Sequence, residues 1–352
     1  MSSELERRLD DLLLEAPEPE TDVGERALAR ALRALELPVV RPRRRLRVVA
    51  ALVAAALALL ALAAGSLAAA GALHVSFGQV REHAGPRTLI LPGGTAGIAA
   101  VVNGRLSVVT RSGFRLQGLP VSAAALSPHA LYVAAGIGTS LVALKPDGRR
   151  AWSHPAGGTV VTIAWAPDGL RIAYVVRTAR RLVLRTIWGN GTHDAAIDRS
   201  VRAVRPSWRA DSLAFAYVAA GGRAVVYDVG HRSRSVVPNS PAGVSEVAFA
   251  PAGKRLALLD GRTIVVGKTR SRARIRLVGI GWVGGELAFV SRGGQAEPVR
   301  IPGPIVSFVA SGSTFAAVVG GEEPRVVAGT TGNVATVLAL PRGARVEAVA
   351  VR

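Results

Sequence analysis

The most regular charged pattern in this sequence is a run of alternating arginines in its last third. The run consists of Arg270, Arg272, Arg274 and Arg276, separated by serine, alanine and isoleucine. On a β-strand, residues two apart face the same side at a spacing of about 6.8 Å, so the run predicts one stripe of four guanidinium groups. Such a stripe binds polyanions by counterion release. The alternative, an outer strand solvated by its arginines, is the simpler interpretation.

Residue types that catalyse reactions or bind metals are sparse. The chain has no cysteine, which excludes disulfides, thiolate catalysis and cysteine-based metal sites. His193 and Asp194 are adjacent, but they follow a turn sequence and are expected in a solvated loop rather than a catalytic dyad. The other histidines are isolated, and the sequence contains neither a phosphate-binding GxxxxGK(S/T) loop nor a GxSxG nucleophile motif. We therefore predict no catalytic residue, metal or cofactor, and a protein that is not an enzyme.

The charge is unevenly distributed along the chain. The formal net charge is +20, yet residues 1–40 carry more acids than bases, so the excess of arginine lies after them. A basic domain attracts anionic envelope polymers or lipid head groups, although the same charge also serves as a solubilising surface. Nucleic acid is not an expected partner, because no aromatic residues for base stacking interleave with the arginine stripe.

Residues 48–73 form an apolar run without a charged residue. The run exceeds the roughly 20 helical residues that cross a hydrocarbon core, and it predicts a single transmembrane helix. A cleavable signal peptide is the alternative, because Ala68–Ala70 resembles a cleavage site, but too many residues precede the run for a signal peptide. We therefore expect an uncleaved signal-anchor.

A basic cluster at residues 41–47 sets the expected topology of this anchor. Its members are Arg41, Arg43, Arg44, Arg45 and Arg47. Such clusters stay on the cytoplasmic side, which places the N-terminus inside and the C-terminal domain outside the cytoplasmic membrane. The predicted domains are an acidic helical head at 1–40, the basic cluster, the span at 48–73, a linker at 74–84 and an extracytoplasmic domain at 85–352.

The sequence of the head, residues 1–40, predicts two short amphipathic helices. Ser3 and Glu6 have capping-box spacing, and leucines at helical spacing follow them. Pro17 and Pro19 end this helix, and a second apolar stripe follows before Pro38. The head is either a pair of helices that binds a cytoplasmic protein or a loosely ordered segment beside the membrane.

Beyond the linker the pattern changes to short β-branched strands separated by turn residues, and it repeats. Six segments share a small residue, a turn and an apolar strand, and they start at Ala124, Ala164, Ser207, Ala248, Gly281 and Phe308, with a weaker copy at Ile90. The first four intervals are close to the length of a propeller blade, and the last two are short. We predict an all-β fold, a β-propeller of seven blades with six as the alternative. The alternating strand at 344–352 is expected to complete the first blade.

The best-preserved copy, Trp165–Val175, contains the turn Pro167-Asp168-Gly169, and a second copy keeps Pro251 and Gly253. These copies resemble the WD-like, TolB-type β-propeller repeat. The resemblance implies that Pro-Asp-Gly forms the tight turn that leads into the next strand of a blade. It extends over residues 85–352, although the last two copies have lost the proline and aspartate, and it carries information on fold rather than function.

Three functions follow from this layout. The main hypothesis is a membrane-anchored propeller that acts as a non-enzymatic binding or scaffold module for a protein, peptide or anionic envelope polymer. The second is a transmembrane regulator whose head holds a cytoplasmic protein, because the layout is similar to that of actinobacterial membrane-anchored anti-sigma proteins. The zinc-binding HxxxCxxC motif of many such heads is absent. The third is an exported propeller enzyme.

Overall fold

The computed structural model describes residues 87–88, 91–111, 115–145, 147–294 and 296–351. All of them belong to one compact unit, Val80–Arg352. This part of the chain is built of strands, with a short 3₁₀-helix at Pro128–Ala130. None of its helical segments has the length and apolar character needed to cross a membrane. The predicted head, arginine cluster, membrane helix and linker lie outside the described residues.

The described strands form seven antiparallel sheets, numbered sheet 1 to sheet 7 in chain order. Sheet 1 contains β2 (Gly97–Val102), β3 (Arg105–Thr110), β4 (Arg115–Pro120) and the last strand of the chain, β28 (Val346–Val351). Sheet 2 contains β5 (Ala123–Leu126), β6 (Val133–Ile137), β7 (Ser140–Leu144) and β8 (Arg150–Pro155). Sheet 3 contains β9 (Thr159–Trp165), β10 (Arg171–Arg177), β11 (Leu182–Trp188) and β12 (Ala195–Asp198).

The remaining sheets follow the same up-and-down order. Sheet 4 contains β13 (Ser207–Trp208), β14 (Ala214–Val218), β15 (Ala224–Asp228) and β16 (Ser233–Val236). Sheet 5 contains β17 (Glu246–Phe249), β18 (Leu256–Asp260), β19 (Thr263–Val266) and β20 (Thr269–Arg272). Sheet 6 contains β21 (Leu277–Val283), β22 (Glu286–Ser291) and β23 (Ala296–Glu297). Sheet 7 contains β24 (Ile305–Ser311), β25 (Thr314–Val319), β26 (Arg325–Thr330), β27 (Asn333–Ala339) and, at its edge, β1 (Arg87–Thr88).

The seven sheets close into a ring. One strand of each sheet contacts its counterparts in the two neighbouring sheets, and these inner strands are β28, β5, β9, β13, β17, β21 and β24. β28 pairs antiparallel with β2, with Ala350 opposite Ala99 and Val349 opposite Ala100. The last strand of the chain therefore supplies the inner strand of sheet 1, which confirms the predicted closure and covers an edge that would otherwise be unpaired.

Apolar side chains between neighbouring sheets hold the ring together. Seven clusters of buried residues are described, and each is shared by two adjacent sheets, including sheets 7 and 1. In β2, Ile98 and Ala100 pack towards sheet 7, whereas Ala99 and Val101 pack towards sheet 2. This follows from the two-residue period of a strand, and it explains why β2 is apolar at almost every position.

The number of complete blades differs from the main prediction of seven and agrees with the alternative of six. Six sheets have the four strands of a blade or more, and sheet 6 has three, so the described residues form six complete blades and one incomplete sheet rather than seven blades. The chain between β23 and β24 contains Pro298, Pro302 and Pro304. Each proline removes one backbone N–H, which weakens pairing with β23, and the segment is not a strand in the structure.

Two buried tryptophans form hydrogen bonds that connect neighbouring inner strands. Trp208 Nε1 donates a hydrogen bond to the carbonyl oxygen of Ala164 at 3.0 Å, and Trp282 Nε1 donates one to Ala248 at 2.9 Å. Each bond is worth only about 1 kcal/mol net, whereas each fully buried Val, Leu or Phe contributes roughly 1.5–3 kcal/mol. Apolar packing therefore provides most of the stability, and the tryptophan bonds fix how neighbouring inner strands are aligned.

The hydrogen bond of Trp208 can be tested by replacement with phenylalanine. Trp208→Phe removes the indole N–H and leaves the Ala164 carbonyl without that donor, so we expect the free energy of unfolding to fall by roughly 1–3 kcal/mol. The matched control is Trp188→Phe, because Trp188 is exposed, and it should change stability by less than about 0.5 kcal/mol. Urea unfolding of the full chain, followed by circular dichroism, measures both, and equal losses would contradict the assignment.

Candidate functional site

The inner strands of sheets 3 to 7 enclose a cavity of about 380 Å³ at the centre of the ring. Its wall combines polar and apolar surface in similar amounts, and the apolar part includes Trp208, Trp282 and Phe249. Glycine brings two inner strands close together here, because a Cβ atom at Gly281 would lie 2.7 Å from the Cβ atom of Ala310 in sheet 7. This volume lies within the range of roughly 300–1,000 Å³ that is usual for small-molecule sites.

Two charged side chains face this cavity. Arg205 lies two residues before β13, and Glu246 is the first residue of β17 in the next sheet. Glu246 Oε2 accepts a hydrogen bond of 2.6 Å from the backbone N–H of Ile280 in sheet 6. Arg205 and Glu246 are the titratable members among the described residues that line the cavity, and both retain partial contact with solvent.

Burial in the protein shifts the pKa values of both side chains. Desolvation raises the pKa of Glu246 to about 8, against the opposing effects of the Ile280 hydrogen bond and the positive charge of Arg205. Desolvation also lowers the pKa of the Arg205 guanidinium, which Glu246 partly offsets. Glu246 is therefore mostly protonated at neutral pH, whereas arginine stays charged. The cavity carries one net positive charge under these conditions.

A second polar cluster lies between sheets 2 and 3. The Asp194 carboxylate accepts a 2.6 Å hydrogen bond from the Tyr174 hydroxyl, forms an ion pair with Arg185, and lies 3.1 Å from His154 Nε2 in β8. Burial would raise the pKa of Asp194, but hydrogen bonds from Arg185 and Tyr174 hold it below its usual value. Burial and Asp194 raise the pKa of Tyr174, so its hydroxyl remains a donor rather than a nucleophile.

A similar arrangement joins sheets 3 and 4. Asp198 of β12 accepts a hydrogen bond of 2.8 Å from the Tyr217 hydroxyl and forms an ion pair of 3.1 Å with Arg234 of β16. In both clusters a carboxylate is held by a tyrosine and an arginine from its own sheet or its neighbour. We interpret both as structural connections between sheets. The expectation of a solvated turn fits the exposed His193 but is wrong for Asp194, whose side chain is 7% exposed.

Exposed apolar side chains gather at one end of sheets 2 to 4. In an up-and-down sheet, the first and third strands end on the same side of the ring, which we call the turn face. Leu131, Tyr132, Leu170, Trp188 and Leu213 lie there, and they are five of the eight exposed large apolar residues in the described part of the chain. We call these five residues the turn-face patch.

The patch continues into a groove between sheets 2 and 3. This turn-face groove has a volume of about 690 Å³ and is lined by Tyr132, Trp152, Leu170 and Trp188, with Arg171 at its side. The Trp152 indole is fixed by a 2.8 Å hydrogen bond from Nε1 to the carbonyl oxygen of Gly189, and the Trp188 ring stacks on His193 at 4.2 Å. The groove therefore presents aromatic rings in fixed positions.

The repeat-turn residues lie in hairpins on the turn face. Pro167, Asp168 and Gly169 connect β9 to β10; Asp168 Oδ1 accepts the N–H of Leu170 at 2.8 Å, and Gly169 has a positive φ of 75°. Pro251 and Gly253 occupy the corresponding hairpin between β17 and β18. The backbone N–H of Asp168 also donates a hydrogen bond of 3.0 Å to Ser212 Oγ in the corresponding turn of sheet 4.

The arginine run does not form a stripe of four on one strand. Arg270 and Arg272 lie on β20, the outermost strand of sheet 5, and share one face, but β20 ends at Arg272. Arg274 and Arg276 follow in the bend that leads to the inner strand β21. The chain must cross from the rim to the centre of the ring at this point, and this turn interrupts the two-residue period. All four side chains are exposed.

Sequence reasoning missed Arg205 and Glu246. Arg205 lies three residues before Trp208, and Glu246 lies three residues before Phe249, the aromatic residues of their repeats. A charged residue at the same position of two apolar repeats was therefore the feature that could have identified them. The aromatic groove gave no periodic signal, because its residues come from different strands. The described residues contain no group of three or more His, Asp or Glu side chains able to hold a metal ion.

Comparison with solved structures identifies similar all-β folds. The C-terminal WD40 domain of Sif2 aligns with a TM-score of 0.50 at 15% identity, covering 70% of this chain and 82% of that domain. TolB from Acinetobacter baumannii aligns with a TM-score of 0.48 at 15% identity, and a putative TolB from Agrobacterium tumefaciens with 0.43 at 13%. Each of these two alignments covers 73% of this chain. They cover 66% of the Acinetobacter TolB and 97% of the Agrobacterium protein, so this chain spans about two thirds of the length of the Acinetobacter TolB.

Neither a protein-family model nor a curated protein sequence matches this chain. At 15% identity, the likeness to the WD40 domain concerns the fold alone, since WD40 domains are β-propellers. Together with the closed ring of sheets, it establishes that the chain contains an all-β β-propeller, as its repeats predict.

The environment of Glu246 predicts a pH-dependent effect on stability. Because the folded state holds the Glu246 proton more tightly than the unfolded chain, the contribution of this residue to stability falls as pH rises from about 4.5 to about 8. Glu246→Gln removes this dependence, so the variant should gain stability relative to the wild type over that range. Thermal unfolding of both proteins at pH 5, 7 and 9 measures the difference, and a difference that is constant with pH would contradict the assignment.

Proposed function

We propose that this protein is a non-enzymatic binding module that holds a protein ligand on the turn face of its propeller. The observation that carries the proposal is the turn-face patch, with the groove that continues it. Three of its residues, Tyr132, Leu170 and Trp188, line one groove, and apolar surface exposed in this way often marks a site that contacts a partner. Aromatic side chains such as Tyr132 and Trp188 are also the residue types that contribute most to protein interfaces.

The charge around the groove favours an acidic ligand. The exposed Arg150 lies beside the groove at the start of β8, and Arg171 lines it, although Arg171 also forms a 3.8 Å ion pair with Asp168. The net charge of +20 adds a positive field that attracts an acidic partner over long range. The ligand we propose is therefore a protein segment with apolar side chains for the groove and acidic side chains for these arginines.

We further propose that the propeller acts at the outer face of the cytoplasmic membrane. The support is the sequence: the apolar run at 48–73 is long enough to cross a bilayer, and the five arginines before it favour an inside position for the N-terminus. A propeller on that side of the membrane would meet ligands of the cell envelope.

One experiment tests both parts of this proposal. Because the chain lacks cysteine, Leu170→Cys places a single thiol in the turn-face patch. Val306→Cys places a single thiol near the start of β24, at the end of the ring away from the turn face. Leu170 is 63% exposed and Val306 is 57% exposed. Spheroplasts of the native host that produce either full-length variant are treated with a membrane-impermeant maleimide carrying benzophenone, and then irradiated.

We expect both thiols to be labelled from outside, and only Leu170→Cys to give an adduct with a partner protein. Adding Trp188→Glu should abolish that adduct, since the charge disrupts the apolar surface. Absence of labelling until the cells are lysed would refute the outward orientation. Labelling without an adduct at position 170, or equal adducts at both positions, would refute binding at the turn face.

A further inference from the structure

The central cavity is a second site, and it shares no lining residue with the turn-face groove. Its charged group is Arg205. The Arg205 guanidinium forms no hydrogen bond or ion pair with a side chain in the described part of the protein, although Glu246 acts on it electrostatically. A guanidinium has five N–H donors, and an enclosed one normally has acceptors for them. Arg205 is thus placed to bind an acceptor from outside the protein.

Glu246 does not serve as that acceptor. Its Oε2 atom accepts the Ile280 N–H from the neighbouring inner strand, which directs the carboxyl group into the link between sheets 5 and 6. Among the described residues that line the cavity, no other acidic side chain faces Arg205. The positive charge of the cavity is therefore available to an anion at neutral pH.

The other residues of the cavity wall indicate what kind of group a bound anion would carry beside its charge. Trp208, Trp282, Phe249 and Val247 supply apolar surface, and Ser207 adds a hydroxyl that already accepts the N–H of Phe249 at 2.9 Å. A phosphate dianion is poorly matched, since a single arginine beside a titratable glutamic acid offers one positive charge. A carboxylate matches the planar guanidinium through two parallel hydrogen bonds.

We propose that the central cavity binds a small organic monocarboxylate with an apolar body, with the carboxylate on Arg205 and the body against Trp208, Trp282 and Phe249. The site goes beyond the proposed protein binding at the turn face and does not depend on it.

Binding of such an anion should depend on the charge of Glu246. With its pKa raised to about 8, Glu246 is mostly neutral at pH 7 and mostly ionised at pH 9. The ionised form neutralises Arg205 and repels a second carboxylate, so the affinity should fall as pH rises from 7 to 9. Arg205 is the charged group that faces Glu246 from the neighbouring sheet, and Ile280 contributes only its backbone N–H.

The test uses 3-phenylpropanoate and its uncharged analogue 3-phenylpropanamide as probes. Isothermal titration of the full chain in detergent should show that the acid binds at pH 7 and that the amide binds roughly 10- to 100-fold more weakly, as expected for loss of a charged hydrogen bond. Arg205→Met should abolish this preference, and Arg205→Lys should retain part of it. Glu246→Gln should bind the acid equally well at pH 7 and pH 9.

Three results would overturn the proposal. The first is equal affinity for the acid and the amide, or no binding of either. The second is an unchanged preference in Arg205→Met that folds as judged by circular dichroism. The third is an affinity of the wild type that does not fall between pH 7 and pH 9. This last measurement needs no variant, so it decides the matter even if Arg205→Met does not fold.

Discussion

Every sheet of this protein must bury both of its faces, and that constraint determines the rest of the structure. A sheet such as sheet 1, with Ile98 facing one neighbour and Ala99 facing the other, leaves apolar surface in water unless it is covered on both sides. A linear stack would expose two end sheets, whereas a ring exposes none. The pairing of β28 with β2 makes the ring possible, because it ties the last strand of the chain to the first sheet.

Both candidate sites follow from this closure. Inner strands that meet around an axis leave a space between them, and Arg205 and Glu246 face that space because they occupy inner-strand segments of adjacent sheets. The up-and-down order then brings the hairpins after the inner strands to one end of the ring. Residues distant in sequence, such as Tyr132 and Trp188, become neighbours there. The packing that stabilises the fold thus leaves a central cavity and a turn face for binding.

The sequence predicted the features that repeat, and it missed those that depend on contacts between repeats. Apolar strands and the turn at Pro167-Asp168-Gly169 recur along the chain, so the propeller and the closing role of the last strand were predictable. Sheet 6 was predicted as a full blade, although its copy of the repeat has lost the proline and aspartate and Pro298, Pro302 and Pro304 follow it. The Asp194 side chain contacts Tyr174 and Arg185 of its own sheet and His154 of sheet 2, and no spacing in the sequence indicates the contact between sheets.

Disulfide formation across the closing pair of strands would test directly whether the ring of sheets is closed. Opposite residues in an antiparallel pair have Cα atoms about 4.5–5.5 Å apart, within the range that a disulfide spans. In a chain without cysteine, Ala99→Cys with Ala350→Cys should form this bond during folding in air, detected by intact mass and gel mobility. The control, Ala99→Cys with Val349→Cys, directs the second thiol to the other face and should not form it. Absence of the bond in the first pair, or equal formation in both, would contradict the closed ring.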